Sequence, residues 1–258
     1  MSRIFLFGDS FTDNLFAQRG GSVLIDAYLE KFDEAGIRPM WFSDHLESWG
    51  HEVHNLGIAG ASNYDIINRF NRIDRDFRDG DRIILNWSTF ARFNWLNEQG
   101  GNQTVHTNAM CINDPYIRDF FLEQCVIREK SAEEGGFIAT SFIPFLNYLL
   151  EVHSKYRPIV WSPFENIEKI VQNDRWFYWS ISNPIFKDVI EHQDKLIIAD
   201  EFPDLIDRHY GRYGNFYQAV LLKTVLDFGE GEYYIKDQSL LDRVFYNLRN
   251  STIPGILP

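Results

Sequence analysis

The chain has 258 residues, 45% hydrophobic and 24% charged, which suits one large α/β domain with its own core. A formal net charge of −12 argues against a nucleic-acid backbone or an anionic membrane surface as main partner, since both demand clustered Lys and Arg. No window reaches the roughly 18 consecutive apolar residues of a membrane helix, and the two cysteines, Cys111 and Cys125, form neither a disulfide framework nor a metal-binding spacing.

The first predicted strand, Ile4–Phe7, is too short for a signal-peptide core, so the default expectation is a cytoplasmic protein. It runs directly into Gly8-Asp9-Ser10, and the stretch from residue 18 to 40 then lengthens the first connection. Ser43–Trp49 reads as a helix and Glu52–Leu56 as the second strand. Tyr64–Phe77 reads as the next helix, and Arg82–Trp87 as the third strand. Gly50 and Gly80 stand where helix-terminating glycines belong. A long polar insertion over residues 97–131 follows and is expected to form part of a substrate wall. Phe137–Lys155 reads as a helix, Ile159–Trp161 as the fourth strand, Leu196–Ala199 as the fifth and Tyr213–Phe228 as a closing helix.

The first, third and fifth runs are continuously apolar rather than alternating, as in parallel strands buried on both faces. Alternating strands and helices predict a single three-layer α/β/α domain over residues 1–258. Its core would be a flavodoxin-like parallel sheet of about five strands, with helical or loop insertions and ligands at the carboxyl strand ends.

Three stretches carry chemistry-bearing residues to that edge. Ser10 follows the first strand, near the N-terminus of the next helix, where a developing oxyanion is favoured. Alone, Gly-Asp-Ser is equally an ordinary turn. Asn55 to Asp65, NLGIAGASNYD, follows the second strand; Gly60 can turn its N–H into the same crevice. Ser62 reads as a helix cap, and Asn63 stands open as a neutral donor. Asp207 and His209 lie between the fifth run and the closing helix, where a carboxylate can orient a histidine base.

Gly8–Phe11 (GDSF), Asn55–Gly60 (NLGIAG) and Asp207–His209 (DRH), in that order, resemble the GDSL-type, or SGNH, hydrolases. The resemblance implies a Ser10 nucleophile, an oxyanion N–H from Gly60 and a triad completed by Asp207 and His209. Asp-x-His in place of the commoner Asp-x-x-His resembles the variant among relatives that act on acetyl groups of polysaccharides. One block departs from the pattern. The family's Gly-x-Asn-Asp after the third strand falls on Ile84 to Trp95, ILNWSTFARFNW, with the asparagine position near Phe90, which cannot donate. Asn86 lies within the strand, where a packed or hydrogen-bonded role is expected. Ser88, Thr89 and Asn63 are the candidate substitute donors. Arg92 is a candidate for an anionic or sugar group of the substrate. Trp87, Trp95, Trp161, Trp176 and Trp179 are candidates for a sugar-stacking surface, against the alternative that they fill the core.

The function expected is a serine esterase removing acetyl or other small acyl groups from a carbohydrate, with no metal or organic cofactor. An acyltransferase with the same triad and a catalytically weak carbohydrate-binding protein on the same fold remain as alternatives. The substrate expected is a small-molecule or glycan ester; the sequence leaves oligomeric state open.

Overall fold

The computed structural model describes residues 3–18, 20, 22–33, 35–96, 102–105, 115–133, 144, 151, 156, 158–163, 180–228 and 238–253. The strands are β1 (Arg3–Phe7), β2 (Glu52–Asn55), β3 (Arg82–Asn86), β4 (Phe93–Leu96), β5 (Asn102–Val105) and β6 (Ile159–Trp161). The α-helices are α1 (Val23–Asp33), α2 (Phe42–Ser48), α3 (Asn63–Ile73), α4 (Pro115–Glu133), α5 (Ile198–Glu201), α6 (Arg212–Asp227) and α7 (Gln238–Asn250).

β2, β1, β3 and β6 lie side by side in that order, all parallel, which is the flavodoxin-like strand order. Successive side chains alternate between two faces that are buried along β1, β3 and β6 and partly exposed at the edge strand β2. Ile4, Leu6, Ile84, Ile159 and Trp161 pack into one core with residues of α1, α2, α6 and α7. Phe5, Phe7, Ile83, Leu85 and Val160 pack into the other with Ile66, Ile67 and Phe70 of α3. The result is a three-layer α/β/α sandwich. Each such apolar side chain contributes about 1.5–3 kcal/mol on burial, so α3 is docked mainly by those three residues. Its start is set by a capping box: the Ser62 Oγ accepts the Asp65 N–H at 3.3 Å, and the Asp65 carboxylate accepts the Ser62 N–H at 3.0 Å.

One expected strand is absent. Leu196–Ala199 forms no fifth parallel strand; among the described residues the parallel sheet has four. The run is as buried as its composition demands, with Leu196 and Ile198 inside the core. Its backbone is hydrogen-bonded elsewhere, however. Ile197 makes a single antiparallel bridge with Tyr210, and the chain then turns into the short helix α5. Apolar density reported burial correctly but not the hydrogen-bonding partner.

The insertion over residues 97–131 begins inside an antiparallel β4–β5 hairpin and ends in α4. Phe121 and Cys125 of α4 pack on Ala91 and Phe93. The stretch from 18 to 40 holds α1, which the sequence did not single out, and α7 was likewise unforeseen. The expected helix over Phe137–Lys155 lies outside the described residues, apart from isolated positions.

Candidate active site

β1 delivers Gly8-Asp9-Ser10 to the carboxyl edge of the sheet, where the chain makes one tight turn. The Asp9 carbonyl accepts the N–H groups of both Thr12 and Asp13 at 2.9 Å, and the Asp9 Oδ1 accepts the Phe11 N–H at 3.0 Å. Ser10 lies at the head of this turn, 6% exposed, with its hydroxyl in no hydrogen bond among the described residues.

Parallel pairing continues past β2, since the Leu56 N–H donates to Leu6 and the Ile58 N–H to Gly8. That extension lays Gly57–Gly60 against the serine turn. The approach at Gly57 is so close that a β-carbon there would lie 2.4 Å from the Asp13 nitrogen. Gly60 adopts φ +78°, the left-handed region that glycine enters without strain. Neither the Ser10 nor the Gly60 N–H has an acceptor among the described residues. Two residues that sequence reasoning passed over tie the blocks together. The Asn55 amide donates to the Thr12 carbonyl at 2.7 Å while its oxygen accepts the Gly57 N–H at 3.0 Å. The Asp13 carboxylate accepts the Ala59 N–H at 2.9 Å.

Asp207 and His209 sit in a loop held by the unexpected bridge. Ala199 donates to the Asp207 carbonyl, Ile198 to the His209 carbonyl and Gly211 to the Leu196 carbonyl, each at 2.9 Å. The Asp207 Oδ1 is 2.7 Å from the His209 Nδ1 and also 2.7 Å from the His209 backbone nitrogen. One oxygen thus takes both groups of the same residue, which the Asp-x-His spacing permits. Burial pushes the Asp207 carboxyl up, but its hydrogen bond to the imidazole, the His209 charge and the backbone N–H together hold it below the usual carboxylate range. An ionised carboxylate only accepts, so Nδ1 carries the proton and Nε2 presents its lone pair. His209 has 26% of its side chain exposed, and its ring lies 4.9 Å from that of Phe11, the residue after Ser10. Phe11 also meets Tyr210 edge-on at 5.4 Å.

Beneath the serine turn lies a buried charge pair. Asp9 is fully buried; its Oδ2 accepts from the Arg92 Nη1 at 2.6 Å, and its Oδ1 from the Asn86 amide at 2.8 Å. The same Arg92 Nη1 reaches the Ser88 Oγ at 2.8 Å and the Ala61 carbonyl at 3.4 Å. Asn86, at the end of β3, has the hydrogen-bonded role expected for it.

Several candidates find other employment. Asn63 and Ser88 form a reciprocal pair, with the Asn63 amide on the Ser88 carbonyl at 2.8 Å and the Ser88 N–H on the Asn63 oxygen at 2.7 Å. Both are buried, Ser88 completely; the Asn63 side chain meets the Ser88 backbone, the Ser88 hydroxyl accepts from Arg92, and Asn63 also lines a cavity. Thr89, half-buried, accepts the Ala91 N–H through its hydroxyl oxygen. Trp87 and Trp161 are completely buried and belong to the core, so they offer no sugar-stacking surface. Trp176, Trp179 and the Trp95 side chain lie outside the described residues. Arg92 joins the serine turn from within while also lining a cavity at the edge of the site. Among the described residues no group of three His, Cys, Asp or Glu side chains is placed to hold a metal ion.

No family model and no curated protein matches the chain. Among solved structures, it is similar to a lipase/acylhydrolase from Enterococcus faecalis at 14% identity and a TM-score of 0.42, over 86% of this chain and 93% of that one. It is also similar to an acetyl xylan esterase at 16% identity and a TM-score of 0.37, over 87% of this chain and 99% of that one. At such identity and TM-score neither likeness assigns a function to this chain.

Proposed function

We propose that the chain is a serine ester hydrolase in which Ser10 attacks, His209 is the base, Asp207 orients it, and the Ser10 and Gly60 N–H groups receive the oxyanion. The observation that carries this reading is the 2.7 Å contact between the Asp207 Oδ1 and the His209 Nδ1, on a loop whose histidine packs on the residue next to Ser10. The His209 Nε2 takes the Ser10 proton as the hydroxyl oxygen bonds to the ester carbonyl carbon. The carbonyl oxygen becomes an anion held by the backbone donors. The tetrahedral intermediate collapses, its C–O bond to the alcohol breaks, and His209 returns the proton to the leaving alkoxide. Water then attacks the acyl-enzyme with the same base and releases the acid.

The preferred substrate is a small acyl ester on a carbohydrate. The Asp-x-His spacing supports this choice. With the Asn63 amide engaged by the Ser88 backbone and the Ser88 hydroxyl by Arg92, oxyanion stabilisation in this reading rests on backbone donors. Loss of a single donor costs about 10²–10³ in turnover, so a slow enzyme is expected. That feature also favours the weak-catalyst alternative, a glycan-binding protein on the same fold.

A fluorophosphonate probe and p-nitrophenyl acetate test the proposal, applied to the parent protein, Ser10→Ala and His209→Ala. Labelling and turnover are expected in the parent and lost in both variants. Labelling that survives Ser10→Ala would rule out the nucleophile, and an inert parent would favour the binding alternative.

A further inference from the structure

A cavity of about 580 Å³ lies between α3, β4 and α4. One wall is a stripe of α3 in which Tyr64, Asn68 and Arg72 recur every four residues and therefore share a face. The facing wall comes from Arg92 and Phe93, and Arg128 enters from α4. Among the described residues three guanidinium groups and no carboxylate line this space, on a chain whose formal net charge is −12. Asp65, on the first turn of α3, is turned to the N–H and hydroxyl of Ser62 and to the Asn94 amide.

Arg72 and Arg128 have no carboxylate partner among the described residues. Arg128 is half-buried, its Nε donating to the Phe90 carbonyl at 3.3 Å and its guanidinium lying 5.3 Å from the Phe93 ring centre. Burial lowers its proton affinity, as expected of a cation withdrawn from water without a counter-ion. Arg92 uses Nη1 on Asp9, Ser88 and Ala61, and its remaining guanidinium nitrogens make no hydrogen bond among the described residues. Asp9 and Ala61, which Arg92 contacts, are the chain neighbours of Ser10 and Gly60, and Ser62 and Asn63 also line the cavity. Tyr64, 53% exposed, adds an aromatic face of the kind on which a sugar ring stacks, and Asn68 adds hydrogen-bonding groups.

We propose that this cavity binds an anionic sugar unit, its carboxylate or phosphate held by Arg72 and Arg128 and its ring against Tyr64, beside the ester that Ser10 attacks. Only the location of that ester rests on the hydrolase reading; the anion site stands on its own residues. Guanidinium forks match both carboxylate and phosphate oxygens. The negative charge of the whole chain restricts the substrate to one acidic unit seated in this cavity, rather than a densely charged polymer.

The test is a binding titration with full-length Ser10→Ala protein, so that failed catalysis leaves binding readable. Methyl glucuronoside, glucosyl phosphate and methyl glucoside serve as probes. At least one anionic probe is expected to bind about tenfold more tightly than the neutral glucoside, and to weaken with added salt. Preference between the two anionic probes identifies carboxylate or phosphate as the source. Arg72 is exposed, and Arg72→Ala should weaken the preferred probe about tenfold while Arg72→Lys retains part of the affinity. Equal binding of the neutral glucoside, or unchanged affinity in Arg72→Ala, would overturn the proposal. Anionic binding in Ser10→Ala together with an inert parent enzyme would overturn the hydrolase reading alone.

Discussion

Replacing Arg92 with leucine removes the ionic partner of Asp9 and leaves a fully buried carboxylate with two neutral donors, the Phe11 N–H at 3.0 Å and the Asn86 amide at 2.8 Å. Breaking a buried pair from one side costs about 3–5 kcal/mol, because the surviving charge has lost its compensation. Arg92 has 15% of its side chain exposed, which lets water approach, so the lower end, about 3 kcal/mol, is expected. The variant also loses the Arg92 bonds to Ser88 and Ala61, which would be lost whatever residue stood at position 9. A double-mutant cycle in urea separates the two contributions. Arg92→Leu is measured in the parent and in Asp9→Asn, where no buried charge remains to be stranded. A coupling of about 2 kcal/mol between the two changes is expected. Equal destabilisation by Arg92→Leu in both backgrounds would refute the assignment of the loss to the ion pair. Less than about 1 kcal/mol in the parent would refute the pair's importance altogether.

The other predictions concern the serine turn, the triad and the pH limits of the fold. Gly57→Ala places a methyl group 2.4 Å from the Asp13 nitrogen and 2.8 Å from the Thr12 carbonyl carbon, both backbone atoms. It should therefore lower the urea midpoint and abolish fluorophosphonate labelling together. Gly60→Ala meets no atom within 4 Å and carries only the strain of φ +78°, on the order of 1–2 kcal/mol, so a larger loss than at Gly57 would contradict this account. Asp207→Asn keeps an oxygen for one N–H of His209 but no charge to fix the tautomer. Turnover of p-nitrophenyl acetate should fall by about 10³ or more with little change in KM, and a loss below tenfold would remove Asp207 from the triad. His45, buried against Trp49 and Phe216, is lowered by burial from its ordinary 6.5 to about 4. Between those values the unfolded chain binds the proton more readily. Stability is therefore full above pH 6.5 and falls towards pH 4, by at most about 3 kcal/mol at about 1.4 kcal/mol per pH unit. His45→Phe should flatten this limb in urea titrations at successive pH values; identical slopes would count against it.

Two of the four parallel strands were legible because burial on both faces imposes continuous apolar runs, as in Ile4–Phe7 and Arg82–Trp87; Glu52–Leu56 and Ile159–Trp161 were read from the alternation of strands and helices. The apolar signal misassigned Leu196–Ala199. Apolar density reports burial, whereas strand identity depends on which backbone lies alongside, and here that backbone is the Asp207–Gly211 loop. Ser62 was recognisable as a cap because Asp65 follows at the spacing that a capping box requires. The partners of Asn63 and Ser88 were not legible, for a different reason. A polar side chain near a catalytic edge carries no local mark of whether its hydrogen bonds face a crevice or another loop. Partners 25 residues apart become visible only in three dimensions. Asp9 was hidden by its own motif, where Gly-Asp-Ser draws the eye to serine while the carboxylate it buries pairs with Arg92, 83 residues away.

Asp9 and Asn55 show how the edge is assembled from ends that are separately held. Asn55 fastens the glycine loop to the serine turn through the Thr12 carbonyl, and Asp9 fastens that turn to β3 through Asn86 and to the β4 approach through Arg92. The Asp207–His209 loop has anchors of its own, the bridge to Ile197 and the buried Glu201, which accepts from Arg212 and from the Tyr28 hydroxyl. Phe11 joins these two groups by meeting His209 and Tyr210, and Tyr210 also stacks on Trp161 of β6. On the proposed hydrolase reading, the Ser10 and Gly60 N–H groups that receive the oxyanion are positioned by the Asn55 and Asp9 contacts. On that reading the buried polar contacts beneath Ser10 bear on the proposed reaction as directly as Asp207 and His209 do, because they fix the backbone donors.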